Sequence, residues 1–453
     1  MRVLKFGGTS VADAAALERL VGIVKTRTGA RTVVVSALAG VTDRLLAIGE
    51  LAVHDRAGAR AALDEILTRH LDMARALSAL AVEPMLRGIA RGAERTVDGI
   101  ADAAHASPPL LDKLVAAGEL WSSRLVAAYL TECGVRAQWI DARHLVSTDG
   151  RHRQATPDLA ATEDAVRRHV RPALALDRVV VTGGFIGSGP GGVTTTLGRG
   201  GSDYSAAILG ACLLADEIEI WTDVDGVYSA DPRVVAGARV LPAMSYEDAE
   251  ILATFGAKVL HPRTIEPAAA LGIPVRVLNS RRPDAPGTRI DADGSRTGGY
   301  IAVAARGTVT LVHVTARQRR ADRAFAARVL QAMADAHVAV LVGEVHKGKL
   351  TVAVSPGADL DGLRARVGDF AEVQTREGLT AVCAVGDRLT EDPRLVMLAL
   401  AAFDGRHVHL VARPGGAASA LAVVVEDAAV HDLLARLHGV LAGEADVLRA
   451  AVA

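Results

Sequence analysis

Short apolar runs at 2–6, 32–35, 179–182, 218–222 and 275–278 alternate with longer stretches in which apolar residues return every three or four positions. Continuous apolar runs predict strands buried on both faces, and the longer spacing predicts amphipathic helices. The first helix shows the pattern: Leu17, Leu20, Val21 and Val24 share one face, with Thr9 or Ser10 in the N-cap position. From about 43 to 133 the pattern is mostly helical, broken near Pro84 and at Pro108 and Pro109. Strands alternating with helices over some 280 residues predict an α/β sandwich.

A Pro-, Gly- and Asp-rich stretch at 281–299 then reads as a linker. Beyond it the units shorten. Strands are expected near 308–314, 338–345, 349–355 and 371–376, with helices near 322–336 and 359–367. The cycle returns with strands near 380–385, 407–412 and 419–425 and helices near 391–403 and 428–440. That is βαββαβ twice, a ferredoxin-like unit in tandem. The expected domains are 1–285, a linker at 286–300, and small units at 301–378 and 379–453, with the C-terminal segment also able to complete the first small unit. The small units carry few candidate catalytic residues, so they read as binding or regulatory, a structural or dimerising appendage being the alternative.

Composition narrows the class. Half of the 453 residues are hydrophobic and 51 basic residues face 52 acidic ones, which excludes general disorder and any bulk attraction to nucleic acid or anionic membrane. No uncharged apolar run approaches the ~20 residues that span a bilayer, and residues 1–8 do not form a signal peptide. Cys133, Cys212 and Cys383 stand far apart without a CxxC spacing, so no zinc site or disulfide framework is visible and a reduced, cytoplasmic protein without a metal centre of its own is expected. Only six basic residues are lysines: Lys5, Lys25, Lys113, Lys258, Lys347 and Lys349. In so Arg-biased a chain, a lysine inside a Gly-rich segment asks for a chemical reason, and a compact ammonium reaching a phosphate oxygen supplies one.

Four Gly-rich segments precede residue 280: 5–10, where a strand turns into a helix; 182–187; 194–203, running into a helix expected to begin at Tyr204; and 255–258. A single glycine pair is more often a turn than a phosphate cradle, but four of them, two holding rare lysines, favour the cradle. The pattern G-x-x-x-x-G-K-[ST] does not occur, which argues against a P-loop enzyme. Gly187 to Gly192 does match G-x-G-x-x-G, but Val193, Thr194, Thr195 and Thr196 follow where a dinucleotide fold needs a helix, so this segment is read as a hairpin tip.

The motifs Lys5-Phe6-Gly7-Gly8-Thr9-Ser10-Val11, Thr194 to Ser205, Trp221 to Tyr228 with Asp231-Pro232-Arg233, and Phe255 to Pro262 resemble the aspartate kinase family in order and spacing, along the whole chain. The resemblance implies an amino-acid-kinase (carbamate-kinase-like) αβα sandwich followed by two ferredoxin-like ACT domains. It also implies phosphoryl transfer from ATP, with nucleotide-bound Mg2+, to the side-chain carboxylate of L-aspartate, giving 4-phospho-L-aspartate. That reaction is the first step toward lysine, threonine and methionine.

By the same resemblance Lys5 stabilises the transferring phosphoryl group, Lys258 the ATP phosphates, and Asp203 orients the lysines or the Mg2+ shell, an N-cap being its structural alternative. Arg199 pairs with the substrate α-carboxylate and Glu119 with its ammonium, while Ser36, Thr42, Phe185, Gly200, Gly201 and Ser202 complete the substrate site. Phe6, Gly7, Gly8, Thr222, Asp223, Tyr228, Arg233 and Val259 line the nucleotide. A surface ion pair is the alternative for any lone Arg or Glu. Two other functions stand beside this one: an amino-acid-kinase member acting on glutamate or a carbamate, and a catalytically silent amino-acid sensor.

Two further expectations concern the C-terminal part. The apolar strand at 380–385 is expected to need covering by another subunit, giving a homodimer or larger homo-oligomer. The loop from Thr315 to Phe325 lacks the Ser and Gly found in lysine-sensitive members and carries Arg317, Arg319, Arg320 and Arg323. Feedback by lysine is therefore expected to be weak or absent, with threonine the better candidate effector.

Overall fold

The computed structural model describes residues 1–257, 262–294, 301–318, 324–386, 389–416 and 418–452. The strands of the N-terminal part are β1 (Arg2–Phe6), β2 (Arg31–Val35), β3 (Ala137–Trp139), β4 (Val179–Gly183), β5 (Ile186–Ser188), β6 (Thr194–Thr196), β7 (Glu217–Thr222), β8 (Ala243–Ser245), β9 (Val275–Asn279) and β10 (Thr288–Asp291). The helices among them are α1 (Ala14–Thr26), α2 (Val41–Ala52), α3 (Arg56–Ala76), α4 (Glu83–Ala103), α5 (Pro108–Glu132), α6 (Leu159–His169), α7 (Arg171–Ala175), α8 (Gly201–Leu213), α9 (Tyr246–Thr254) and α10 (Pro262–Ala270). Contacts divide the chain into two compact units: Met1–Val227 with Arg263–Ala292, and Tyr228–Pro262 with Asp293–Ala453.

In the first unit the strand order is β3-β4-β2-β1-β7-β9-β10. All pairs from β3 to β9 are parallel, and only β10 runs antiparallel to its neighbour. Parallel strands of this kind need both faces covered, which is why their residues are apolar without alternation. One face, carrying Leu4, Phe6, Val33, Val35, Val179, Val181 and Trp221, shares a core with the apolar sides of α1 to α5. α8 packs on β1, β2 and β7 and is itself flanked by α6. The predicted αβα sandwich is present, and Pro84 and Pro108 open helices rather than break them.

Register matters for the site. Phe6 lies level with both Val35 and Trp221, Val35 with Gly183, and Trp221 with Leu278. The strands therefore end together, and the turns after them form one crevice along the carboxyl edge of the sheet, where open α/β sheets bind ligands.

Several local expectations need correction. Residues Gly8–Val11 make a 3-10 turn first, so Asp13 rather than Thr9 or Ser10 caps α1, its carboxylate accepting from the Ala16 amide at 2.8 Å. The supposed linker contains β10: Thr288 and Ile290 are buried and pair with Val277 and Val275, a four-residue alternation hidden among prolines and glycines. The G-x-G-x-x-G segment is indeed a hairpin, β5 pairing antiparallel with β6.

Besides β8 and α9, the second unit has the strands β11 (Ile301–Ala316), β12 (Val340–His346), β13 (Lys349–Val354), β14 (Ala371–Gly386), β15 (Val408–Ala412) and β16 (Ala420–Glu426), with α11 (Phe325–Asp335), α12 (Leu360–Val367), α13 (Pro393–Ala401) and α14 (Val430–Val452). β11 to β16 form one antiparallel sheet in the order β12-β13-β11-β14-β16-β15, curled so that β12 and β15 approach each other. β11 and β14 are 16 residues each and serve two cores. Val312 and Val314 bury with α11, α12 and β13. Ile301 and Val303 bury with Val382, Ala384, α13, α14 and β16, joined by Ala230 and Val235. A register shift between Arg306 and Leu311 separates the two halves of β11.

The sequence reading missed 301–306 as a strand, and with it the nesting: each half has four strands and two helices, but the second half begins before the first. The segment 380–385 is also not an edge in need of a partner subunit, because β11 and β16 flank it and it is buried.

Candidate active site

Alternation along β1 sends Leu4 and Phe6 into the α1–α5 core and turns Lys5 to the opposite face, where α8 packs. The Lys5 side chain is only 9% exposed, and its Nζ lies 2.6 Å from Oδ1 of Asp203. Gly198 and Gly200 both have left-handed backbone, φ 78° and 69°, and this sharp turn starts α8 at Gly201 rather than Tyr204. Asp203 thus stands within the first turn and is not the N-cap, which is Gly200 and offers no side chain. The Gly201 amide donates to the Gly198 carbonyl at 3.0 Å, which leaves the start of α8, with its positive dipole end, beside the Lys5–Asp203 pair, an arrangement suited to a lysine-bridged anion.

The glycine turn after β1 is held by main-chain and hydroxyl contacts. The Gly7 amide donates to the Trp221 carbonyl at 3.0 Å, and Ser10 Oγ donates to the same carbonyl at 3.2 Å. Ser10 Oγ and Ser280 Oγ lie 2.8 Å apart, and Ser280 is tied to the Thr222 carbonyl. A Cβ at Gly8 would stand 3.0 Å from the Ala37 carbonyl, so the turn after β2 closes directly over it.

Glu119 comes from α5, wholly buried at the crevice. Its Oε1 accepts from the Ala37 amide at 3.3 Å, and Oε2 has no partner among the described residues. Burial pushes its carboxyl up to about 8, outweighing the Ala37 amide that bonds to it. Gly118 and Gly183 permit this placement: a Cβ on Gly118 would come within 2.8 Å of Ala37 Cβ, and one on Gly183 within 3.0 Å of Glu119 Cβ. Next along the chain, Gly184 rests on Ser202, where a Cβ would meet Ser202 Cα at 2.7 Å.

Phe185 follows with a left-handed φ of 65°, a conformation that costs a non-glycine residue of order 1–3 kcal/mol. Its amide donates to Ser205 Oγ at 2.9 Å, and that hydroxyl donates to the Gly201 carbonyl at 2.9 Å.

Packing therefore brings together Lys5, Phe6, Gly7, Gly8, Ser36, Glu119, Phe185, Gly200, Gly201, Ser202 and Asp203 along one edge. Thr42 is the second residue of α2, half-buried beside Val41, which itself packs against Gly118. Arg199 is exposed at the turn, without a side-chain partner among the described residues. Thr222 and Asp223 end β7, the Thr222 hydroxyl donating to Asp223 Oδ1 at 3.3 Å. Tyr228 and Arg233 belong to the second unit, where the Arg233 guanidinium grips Asp231 at 2.6 and 3.0 Å. Lys258 and Val259 lie outside the described residues.

Sequence reasoning passed over Ser10, Ser205 and Ser280. Ser205 could have been noticed as the hydroxyl one helical turn after Gly201, placed to bond back to its carbonyl; nothing local marks Ser280. Among the described residues no cluster of three or more His, Cys, Asp or Glu could cage a metal, and Asp203 is the carboxylate paired with Lys5. That donor set fits a cation carried mainly by phosphates and water, as Mg2+ is on a nucleotide. Among the described residues no helix is long and apolar enough to cross a membrane.

The fold and this edge define a class: residues 1–279 match the amino acid kinase family. Lysine-sensitive aspartokinase 3 of Escherichia coli is 38% identical over 400 residues, 86% of this chain and 88% of that protein. A bifunctional aspartokinase/homoserine dehydrogenase 1 of Arabidopsis thaliana is 37% identical over 305 residues, 64% of this chain but 33% of that longer protein. The crystal structure of E. coli aspartokinase III in complex with aspartate and ADP, an R-state, superposes with a TM-score of 0.88 at 32% identity, covering 97% of this chain and 99% of that one. The T-state of the same enzyme with lysine and aspartate gives 0.78 over the same share. The chain belongs to the aspartokinases.

Proposed function

We infer that the chain catalyses ATP-dependent phosphorylation of L-aspartate on its side-chain carboxylate, giving 4-phospho-L-aspartate. The observation that carries the substrate is Glu119: a buried carboxylate with an unpartnered oxygen, in the same crevice as the Lys5–Asp203 pair, is built to receive an ammonium. A substrate with an ammonium, an α-carboxylate and a nucleophilic side-chain carboxylate satisfies Glu119, Arg199 and Lys5 together. A carbamate lacks the ammonium, and a silent sensor has no use for Lys5 and Asp203.

An aspartate carboxylate oxygen attacks the γ-phosphorus, and the bond to the β–γ bridging oxygen breaks with ADP as leaving group. A carboxylate is already ionised, so no general base is needed, and catalysis is positioning and charge stabilisation. Lys5 Nζ stands where it can follow the transferring group, and Asp203 fixes its direction. The amides of Gly8 and, in the first turn of α8, of Ser202 and Asp203 donate to phosphate oxygens. Arg199 forks the α-carboxylate, with Ser36, Thr42, Phe185 and Ser202 shaping the rest of the substrate site. Phe6, Thr222, Asp223, Tyr228, Arg233, Lys258 and Val259 are assigned to the nucleotide. Bound to ATP, Mg2+ neutralises phosphate charge, and Asp203 is the carboxylate that would meet it.

The second unit is assigned as two ACT domains that take an amino-acid effector, and a homodimer or larger assembly is proposed through it. The deciding assay is hydroxamate formation from ATP and aspartate in the presence of hydroxylamine, with glutamate in parallel. Signal with aspartate alone is expected, and no signal with aspartate would overturn the reading.

A further inference from the structure

A second carboxylate on α5 has no part in the roles above. Asp112 stands seven residues before Glu119, two helical turns away on the same side of the helix, and it is 0% exposed. Four donors converge on it. Its Oδ2 accepts from His152 Nδ1 at 2.9 Å, from the Arg153 amide at 3.0 Å and from the Thr196 amide at 3.2 Å, while its Oδ1 accepts from Thr196 Oγ1 at 2.7 Å. A fully buried carboxylate is costly unless its oxygens are satisfied in this way, and once satisfied it fixes the geometry of every donor.

The donors belong to two segments that lead straight to the substrate turn. Thr196 ends β6, three residues before Arg199. Its carbonyl also accepts from the Ala155 amide at 2.9 Å, so 152–155 and β6 are fastened to each other as well as to α5. The Arg153 carbonyl in turn braces Gly198: a Cβ there would lie 3.0 Å away, and Gly198 already has φ 78°. Arg199 itself is exposed, and no residue among those described pairs with its side chain to hold its direction. What aims it is the backbone on either side, 196–198 before it and the Gly200 turn into α8 after it.

From this geometry we propose that Asp112, with His152, is a positioning pair for Arg199, locking the turn that presents the guanidinium to the substrate α-carboxylate. α5 then sets both ends of substrate recognition: Glu119 for the ammonium directly, and Asp112 for the α-carboxylate at one remove. The inference rests on the assignment of Arg199 to that carboxylate.

The test compares L-aspartate with L-aspartic acid α-amide, which keeps the ammonium and the side-chain carboxylate but lacks the α-carboxylate. The full-length chain and its Arg199→Ala, Asp112→Ala and His152→Ala variants are assayed with both. Arg199→Ala is expected to collapse the preference for aspartate over the amide. Misplacing a fork by about an ångström costs up to roughly a hundredfold, so Asp112→Ala should lower that preference about ten- to a hundredfold. It should do so by raising KM for aspartate while KM for ATP stays near wild type. His152, whose side chain is 19% exposed, can be removed with little risk to the core, and His152→Ala should move the preference in the same direction by less.

A loss of melting temperature or of kcat with the preference intact in both variants would reduce Asp112 to a structural residue and overturn the proposal. Should Asp112→Ala fail to fold, His152→Ala decides alone. If Arg199→Ala keeps the preference, the substrate assignment of Arg199 itself falls. If it loses the preference and both other variants keep it, only the positioning role falls.

Discussion

Lys5 Nζ and Asp203 Oδ1 lie 2.6 Å apart, although 198 positions of chain separate them. A strand directed by the hydrophobic core brings one partner and the first turn of α8 brings the other. A Cβ on Gly7 would stand 3.4 Å from that same Nζ, so the ammonium has a glycine beneath it and a carboxylate at its side. Lys5→Ala should lower kcat about a hundred- to a thousandfold while leaving KM for aspartate within a small factor, because the charge acts on the transition state. Lys5→Arg should rescue poorly, since the planar fork cannot occupy a point-charge site over Gly7. Steady-state kinetics with circular dichroism checks both, and wild-type turnover in the arginine variant would refute the role.

Glu119 gives the aspartate affinity a pH dependence. With its carboxyl held up at about 8, the free chain carries it mostly protonated at neutral pH, whereas the substrate ammonium needs the ionised form. Aspartate binding below pH 8 should therefore release a proton, and its apparent Kd should fall about tenfold per unit as pH rises toward 8, then level off. Isothermal titration in buffers of different ionisation enthalpy measures the proton directly. Glu119→Gln should bind more weakly with a flat profile; a profile unchanged from the parent would place the titrating group elsewhere.

His70 makes the ligand-free protein acid-sensitive. It is wholly buried, 5.2 Å from the Trp121 ring, with Nδ1 2.7 Å from the Ile66 carbonyl and Nε2 without a partner among the described residues; burial pulls it down to about 4 from an ordinary 6.5. The unfolded chain thus takes up the proton first, so stability is intact above pH 6.5 and is lost as pH falls toward 4, by up to about 3 kcal/mol. Urea midpoints between pH 7 and 4.5 should fall more steeply for the parent than for His70→Leu. Parallel curves would show that other groups dominate.

Gly184 is the backbone residue on which Ser202 sits. Gly184→Ala places a methyl 2.7 Å from Ser202 Cα, and main chain cannot swing aside as a flexible side chain can. The variant should lose most activity at a stability cost of about 1–3 kcal/mol, the range for overpacking. Unchanged kcat/KM for aspartate would mean that the turn at 198–202 is looser than its contacts imply.

Lysine alone at sub-millimolar concentration should leave activity nearly unchanged, despite the lysine sensitivity of the E. coli relative. Arg317 already spends its Nε on the Gly368 carbonyl, and no Ser or Gly stands between 315 and 325 to meet an amino-acid carboxylate. Titrating lysine and threonine, singly and together, in the hydroxamate assay measures this. Strong inhibition by lysine alone would put the effector pocket on other residues.

Much of the proposed catalytic edge could be read from the chain because the residues assigned to it sit in contiguous motifs: Lys5 to Gly8 and Gly198 to Asp203 each bring their own glycines. What stayed hidden depends on residues that meet only in space. Ser280 serves the Gly7 turn from the end of β9, and Asp112 serves β6 from a helix whose local sequence asks nothing of it. Short alternating strands were also lost where turn residues crowd them, as with β10. The start of β11 vanished for a different reason: its partners, 381–386, come so much later that no local pattern announces the pairing.

That pairing sets an order of events during synthesis. The half of the second unit built on 309–376 has all its strands once the ribosome has passed Arg376, whereas Ile301 pairs with Gly386 and Val382 with Val423. Segment 301–306, the first strand of this sheet to emerge, is thus among the last to find its ladder partner, meanwhile having only contacts to earlier chain such as the Val303 amide on the Ser229 carbonyl, and loop closure over such a span is slow. Cotranslational folding of this protein should pass through a state in which the inner half is formed and the outer half waits, and interruption of the chain after residue 378 would leave that first segment permanently exposed.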